Sequence, residues 1–487
     1  MLKIKSKCDN FYEKYNKMNI AVKASLWFAI CSIIQKGISI ITLPIFTRLM
    51  STKEYGEYNI FLTWYNILII ITTLNIQSDI FNKGLIEHSE EKDDFTTNQA
   101  SLLILLTLLS TIVYLLFKDT LNMILGLSTG LVLIMFFEIL ANAIVNLWQV
   151  RRRFDFEYRK IVMLTIFMSV INPVIGIVSV YFANDKAFAR IVSNAIVPMV
   201  ISFFLILSFS KNRKEILNYK WWKPVIISSI PLVPHYLSLV LLNQSDKLMI
   251  NYFVGQEDTA IYSVAHSAGL LLTIINTSIN SSFVPWVYRK LEKRELNEIN
   301  SISTSLLIIV LTMNLFIIWL APEIIHILAA PQYKEAMWCL APIAMSVFFF
   351  FAYTLFVDVE IYFGESNYIA IASIVAAALN LFLNYIFIPR YGYIAAGYTT
   401  LFSYVITMVL HYLFLKKIIN KYIGNTMMFN IRIIIVLSTI LLLLSFAGVL
   451  LYKYVILRLI IIAYAIMVIY IKRQKIIKTI SKIRKRR

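Results

Sequence analysis

Residues 51–61 read STKEYGEYNIF, and residues 255–265 read GQEDTAIYSVA. Each is a short polar turn with an acidic residue, Glu54 or Asp258, and a tyrosine about one helical turn further on, Tyr58 or Tyr262. Gly56 corresponds to Ala260, and the two stretches stand 204 positions apart. A long apolar run precedes each turn and another follows it, so each is the bend of a helical hairpin. If the first apolar run opens one half of the chain and the seventh opens the other, each half holds six helices in the same orientation. That is a parallel internal repeat with its pseudo-axis along a membrane normal, an arrangement transporters use to frame a central cavity. Asn172 and Asn380, in the fifth and eleventh runs, are a weaker echo of the same duplication.

Composition supports membrane burial. Of 487 residues, 59% are hydrophobic and only 15% charged, too little polar surface to cover a soluble core. Runs long enough to cross a bilayer as helices fall at about 20–48, 58–82, 99–117, 122–148, 161–183, 189–210, 224–254, 258–285, 301–322, 336–360, 366–389, 393–417, 429–452 and 454–471. The fold class expected is an all-α polytopic membrane protein with about 14 transmembrane helices. Two six-helix lobes, 20–210 and 211–417, are followed by a helix pair within 418–471. Residues 1–19 form a cytoplasmic or interfacial segment, and 472–487 a basic cytoplasmic tail. Cys8, Cys31 and Cys339 are too scattered for a disulfide framework or a metal site. The first apolar run is too long for a signal peptide and lacks a small-residue cleavage site.

Basic residues set the orientation. They crowd the N-terminal segment, RRRFDFEYRK from Arg151, KNRKEILNYKWWK from Lys211, YRKLEKR ending at Arg294, Lys416, Lys417 and Lys421, and the tail. The opposite side receives isolated cations such as Lys118, Lys334 and Lys453. Every second loop is basic, which puts both termini in the cytoplasm. The acidic loop NKGLIEHSEEKDDFTTN from Asn82 departs from the pattern, although acidic residues weigh little in it. The net charge of +19 thus marks topology and contact with anionic membrane lipids, not a nucleic-acid partner. Loops between spans are short, leaving no room for an extramembrane catalytic domain, and no nucleotide-binding loop is present. The chain reads as a non-enzyme.

NQSDKLMINYFVGQEDTAIYSVA (243–265), LPIFTRLMSTKEYGEYNIF (43–61) and IPRYGYIAAGYTTLFSYV (388–405) resemble the bacterial polysaccharide flippases. These are the Wzx-type flippases of lipid-linked oligosaccharides, relatives of the multidrug exporters and of the peptidoglycan-precursor flippase. The resemblance covers nearly the whole chain. It implies an alternating-access transporter in the bacterial cytoplasmic (inner) membrane, for O-antigen or capsule-type polysaccharide. Its cargo would be an oligosaccharide on undecaprenyl diphosphate, with polysaccharide polymerase machinery a further candidate partner. No cofactor is implied beyond a coupling Na+ or H+. The rival reading is a small-molecule or multidrug exporter of the same superfamily; a glycan polymerase or ligase would need a sizeable outer loop.

Ionisable residues inside spans are functional candidates. Lys36 lies near the middle of the first span, with Ser32, Gln35, Ser39 and Thr42 on its face. It can meet the diphosphate or pair structurally with Glu138. Glu138, near the middle of the fourth span beside Asn142 and Asn146, either binds the coupling ion or neutralises Lys36. Asp246 and Lys247 diverge by about 100° around the seventh span. Lys247 is a candidate for the cargo. Asp246 is a coupling-ion candidate, an interhelical ion pair being the favoured reading. His266, Thr273, Thr277 and Asn280 form a polar stripe in the eighth span, of which His266 and Asn280 are candidates for the substrate cavity, and His235 and Ser238 precede Asp246. Either histidine serves as a proton-sensitive contact or, more simply, as a buried hydrogen-bonded group. Arg48 and Arg390 sit at span ends, where snorkelling to headgroups is favoured over contact with cargo. Pro44, Pro231 and Pro234 interrupt the two opening helices and are hinge candidates.

Overall fold

The computed structural model describes residues 20–210, 218–424, 428–464 and 467. The N-terminal segment and the basic tail expected at 1–19 and 472–487 lie outside them. Among the described residues every regular element is helical. The chain divides into two compact units: Met1–Ser263 with Leu328–Gln332 and Ala377–Tyr393, and Val264–Ile327 with Tyr333–Ala376 and Ile394–Arg487.

The first unit contains α1 (Ile20–Leu49), α2 (Thr52–Thr73), α3 (Asp79–Glu87), α4 (Lys92–Leu116), α5 (Lys118–Leu125), α6 (Thr129–Phe154), α7 (Tyr158–Phe182), α8 (Lys186–Ser210), α9 (Tyr219–Ser229) and α10 (Val233–Phe253). The helix α11 (Gln256–Glu292) begins in this unit and continues into the second. There follow α12 (Leu296–Trp319), α13 (Ala321–Leu328), α14 (Ala336–Tyr362), α15 (Ser366–Tyr391), α16 (Tyr393–Tyr422), α17 (Ile431–Leu450) and the short α18 (Val455–Tyr464). The later part of α15 belongs to the first unit.

Eleven helices among the described residues are long and apolar enough to cross a membrane. The other three expected spans fall on α2, α10 and α18. Of these, α2 and α10 are more polar, bearing Lys53, Glu54 and Glu57, and Asp246 and Lys247. Most of 454–471 beyond α18 lies outside the described residues.

The repeated polar turns are helix starts. Ser51 and Glu54 form a capping box: the Ser51 backbone N–H donates to Glu54 Oε2 at 2.7 Å, and the Glu54 N–H donates to Ser51 Oγ at 3.3 Å. Asp258 occupies the first turn of α11, where its charge favours the positive end of the helix dipole. Gly56 also has a packing reason. A Cβ on Gly56 would lie 2.1 Å from the Gln256 backbone oxygen, so α2 and the first turn of α11 meet backbone to backbone. Small residues permit such an approach where lipid supplies no hydrophobic drive for helix association.

Several boundaries differ from those expected. The run 58–82 is two helices, because Leu74 and Asn75 take left-handed backbone conformations (φ 52° and 51°) and close α2 at Thr73. The run 122–148 begins as the separate α5. Its main helix, α6, then continues to Phe154 with Arg151, Arg152 and Arg153 in its last turn, cations placed at the negative end of the dipole. Pro231 and Pro234 do break the seventh run: α9 ends at Ser229, a 3-10 turn covers Ile230–Leu232, and α10 starts at Val233. Pro44 does not interrupt α1, which runs unbroken from Ile20 to Leu49.

Within the first unit α6 is the central helix, packed against α2, α3, α4, α7 and α8. Ile144 and Leu147 of α6 join Phe81, Leu85, Phe95 and Leu103 in a closed apolar core. In the second unit α14 holds that place between α12 and α17, with Phe348, Phe349, Phe351 and Phe356 fully buried. By contrast α7 leaves Met163, Phe167, Val174 and Val178 exposed, the apolar outer surface that a bilayer covers.

Candidate functional site

The residues expected to form a cargo face lie on α1. Ser32, Gln35, Lys36 and Ser39 are all exposed on it, and Thr42 is half-buried. The hydroxyls are turned back on the helix: Ser39 Oγ donates to the Gln35 carbonyl at 3.1 Å, and Thr42 Oγ1 to the Ser39 carbonyl at 3.1 Å. Arg48 is exposed at the end of α1, where its Nη1 donates to the Pro44 carbonyl at 2.9 Å. Its guanidinium is thus engaged by its own helix. Arg390 is exposed in the last turn of α15.

Glu138 is not the partner of Lys36. It is 1% exposed inside the first unit, and Asn194 Nδ2 of α8 donates to its Oε1 at 2.7 Å. The other oxygen, Oε2, is buried with no partner among the described residues. Asn142 Nδ2 donates to the Glu138 backbone carbonyl at 3.1 Å. Beside this pair stands Arg190, 8% exposed, a residue passed over in the sequence because it falls at the edge of its apolar run. Its guanidinium lies 4.0 Å from the Phe46 ring centre and 5.0 Å from that of Tyr58.

Asp246 sits in a second cluster of the first unit. Tyr262 Oη donates to its Oδ2 at 2.5 Å and Asn384 Nδ2 to its Oδ1 at 2.6 Å. Asn384 also donates to Asn380 Oδ1 at 3.1 Å, and Ser245 Oγ donates to the same oxygen at 3.4 Å. Tyr262 of α11 and Asn384 of α15 are neutral donors. Tyr262, singled out in sequence only as a repeat position, therefore bonds a buried carboxylate directly, and Asn380, the other such position, accepts from the Asn384 that bonds it. Lys247 is half-buried, consistent with its divergence from Asp246 around α10. The side chain of His235 is not among those described, and Ser238 Oγ donates to the Pro234 carbonyl at 2.7 Å.

The second unit brings a different set together. Asn280 Nδ2 donates to Asp358 Oδ1 at 3.4 Å, while Asp358 Oδ2 and Asn280 Oδ1 are buried without partners among the described residues. His411 Nδ1 lies 2.9 and 3.0 Å from the two oxygens of Glu360, both side chains being buried, and Tyr353 stacks on the imidazole at 5.2 Å. His266 is half-buried and Thr277 exposed on α11. Asp358, Glu360 and His411 were not singled out from sequence. Their signal was available, since each is an ionisable residue in an apolar run, but the two acids fall at the end of the run 336–360, where charge is ordinary.

Ion pairs gather at helix ends. Arg151 Nη2 is 3.0 Å from Asp93 Oδ1, its Nη1 contacts Asp155, and Lys92 is 3.5 Å from Asp155. Burial pushes the Asp155 carboxyl up, but Arg151 and Lys92 outweigh it and hold the group below the usual carboxylate range. Glu365 accepts from Lys421 at 2.7 Å and Tyr422 at 3.0 Å, and those bonds hold it low in the same way. Among the described residues no group of His, Cys, Asp and Glu side chains is arranged to hold a metal ion.

Comparison with known proteins agrees with this architecture. Residues 21–289 match the model of the polysaccharide biosynthesis protein family. The Lsg locus putative protein 1 of Haemophilus influenzae is 20% identical over 206 residues, 41% of this chain and 51% of that protein. An uncharacterized membrane protein of Methanocaldococcus jannaschii is 24% identical over 235 residues, 46% of each. The chain thus spans about half the length of the curated relatives it matches. Among solved structures, the lipid II flippase MurJ in an inward closed conformation aligns with a TM-score of 0.64 at 15% identity, over 93% of this chain and all of that one. An inward-facing multidrug resistance MATE family transporter of the MOP superfamily aligns with a TM-score of 0.63 at 13% identity, over 82% of this chain and 98% of that one. At these identities the likeness shows a shared fold. The family match covers more than half of the sequence, and the chain belongs to the polysaccharide biosynthesis protein family, as a multi-pass helical membrane protein.

Proposed function

We propose that this chain is a flippase that carries undecaprenyl-diphosphate-linked oligosaccharide from the cytoplasmic to the outer leaflet of the bacterial inner membrane by alternating access. In this reading both termini are cytoplasmic, 20–210 and 211–417 are duplicated lobes, Pro231 and Pro234 are a hinge, and the product feeds surface polysaccharide assembly. The observation that carries it is the exposed face of Ser32, Gln35, Lys36 and Ser39 on a membrane-spanning helix. A cation held against hydrocarbon costs several kcal/mol, roughly 2.5–3.5 on insertion scales, so that face belongs against water or a polar occupant. The occupant that suits a lysine among hydroxyl and amide groups is an anionic, sugar-bearing headgroup. Such a headgroup cannot cross hydrocarbon alone, because its polar groups would lose water without replacement.

A reconstituted assay tests the reading. Liposomes holding the purified chain and a fluorescent undecaprenyl-diphosphate oligosaccharide are probed for the share of sugar reached from outside by a glycosidase. The flippase equilibrates the two leaflets, and Lys36→Ala slows it without reducing incorporation into the membrane. A second reading, export of small cationic molecules, draws on Asp358, whose Oδ2 is buried without a partner among the described residues. It predicts that the same liposomes move a cationic dye and leave the lipid where it is.

A further inference from the structure

Three consecutive arginines close α6, and their surroundings are unequal. Arg151 is paired with Asp93 and Asp155, and Arg152 Nη1 lies 3.2 Å from Glu157 Oε2. Two lysines engage the same acids, Lys92 at 3.5 Å from Asp155 and Lys160 at 3.0 Å from Glu157. Arg153 is exposed and has no acidic partner among the described residues. Its guanidinium instead lies over the ring of Phe28 on α1, 5.1 Å from the ring centre. Among the described residues α1 packs chiefly on α7, so this contact is made by a long side chain reaching across from α6. The preference for cations at cytoplasmic loops accounts for basic residues here. It does not account for why one of the three is left without an acid and set against α1.

Phe28 stands on the polar face of α1. At 100° per residue, Phe28, Ser32, Gln35, Lys36 and Ser39 fall within an arc of about 100°. Arg153 is thus held at one end of the face that carries Lys36, which starts eight residues, about 12 Å, further along the helix. A guanidinium resting on a ring keeps its N–H donors for an oxyanion, and its fork matches two oxygens of a phosphate at once. The end of a spanning helix is also where the hydrocarbon stops and the phosphates of one leaflet begin. We infer that Arg153 is the loading contact for a phosphate or diphosphate group carried on a membrane lipid, at the end of the α1 face along which Lys36 stands deeper. The order of the two contacts rests on the flippase reading; binding at Arg153 is measured without transport.

The full-length chain in detergent is given undecaprenyl diphosphate without sugar, bearing a diazirine beside the diphosphate. Adducts formed on illumination are located by mass spectrometry. Two clusters are expected on α1, one around Phe28 and one around Lys36. Arg153→Gln should lower the first roughly 10- to 150-fold, as for one lost charge-assisted contact, and spare the second. Lys36→Gln should do the reverse. Arg153→Lys keeps the charge without the two-pronged geometry and should fall between. Arg152→Gln removes an arginine already paired with Glu157 and should change neither cluster. An excess of phosphatidylglycerol should leave both clusters in place.

Loss of the Phe28 cluster to phosphatidylglycerol would assign the contact to bulk lipid headgroups and overturn the proposal. So would a Phe28 cluster indifferent to Arg153→Gln. A single cluster lost in either variant would merge the two contacts into one and contradict their succession. Labelling as expected, with no flipping in liposomes, would defeat the transport reading and leave the Arg153 contact standing.

Discussion

Asn194 Nδ2 donates to Glu138 Oε1 at 2.7 Å and ties α8 to α6 inside the first unit. Among the described residues the second oxygen of the Glu138 carboxyl has no partner. Replacing Asn194 by Leu therefore strips a buried carboxyl of its donor. The expected loss is about 1–3 kcal/mol of stability, read as a lower unfolding temperature in detergent. Asn194→Asp with Glu138→Gln, which restores an amide–carboxyl pair in reverse, should recover part of it.

Lys36 tests the transport face separately from stability. It is exposed and forms no described ion pair, so Lys36→Ala should leave the unfolding temperature unchanged. A charge-assisted hydrogen bond is worth about 1.5–3 kcal/mol, so a lost contact to phosphate should slow flipping by roughly 10- to 150-fold. Lys36→Arg should retain most of the rate. Liposome flipping with the fluorescent lipid checks each variant.

Gly56→Ala should disrupt the meeting of α2 with α11. The added Cβ would lie 2.1 Å from the Gln256 carbonyl oxygen, and a backbone atom cannot swing aside. Overpacking of this kind costs about 1–3 kcal/mol, measured by thermal unfolding. Ala260→Gly, the change at the corresponding position, removes volume and should cost less.

The Asp155 cluster gives stability a pH dependence of definite sign. Asp155 is held below its ordinary value in the folded chain, so its pairing with Arg151 and Lys92 is fully present above the unfolded carboxyl range. That contribution is lost as the pH falls from there through the folded value. Both partners are partly solvated, so the contribution is about 1 kcal/mol or less. Asp155→Asn should lower the unfolding temperature at neutral pH and match the parent in strong acid.

Much of this architecture was legible in sequence because a bilayer imposes a crude rule: apolar runs of sufficient length become helices. The turn at Ser51 was legible for a local reason, the capping box with Glu54. What the apolar runs concealed was everything depending on which helices touch. Pro44 looked like a break but is accommodated inside α1, whereas Leu74 and Asn75, with no proline, end α2. The alternative pairing of Lys36 with Glu138, offered by depth alone, is not formed: one is exposed and the other accepts from Asn194. Arg190, Asp358 and Glu360 were hidden by their place at run edges, where charge is ordinary. Their burial is set by neighbours distant in sequence.

The central claim is most directly tested in cells lacking this chain, by extracting the undecaprenyl-linked lipids and determining from which face of the membrane their sugars can be reached. The account predicts that completed lipid-linked units accumulate on the cytoplasmic face and surface polysaccharide is lost, both restored by the native chain and not by Lys36→Ala. Normal surface polysaccharide with no such accumulation would contradict it.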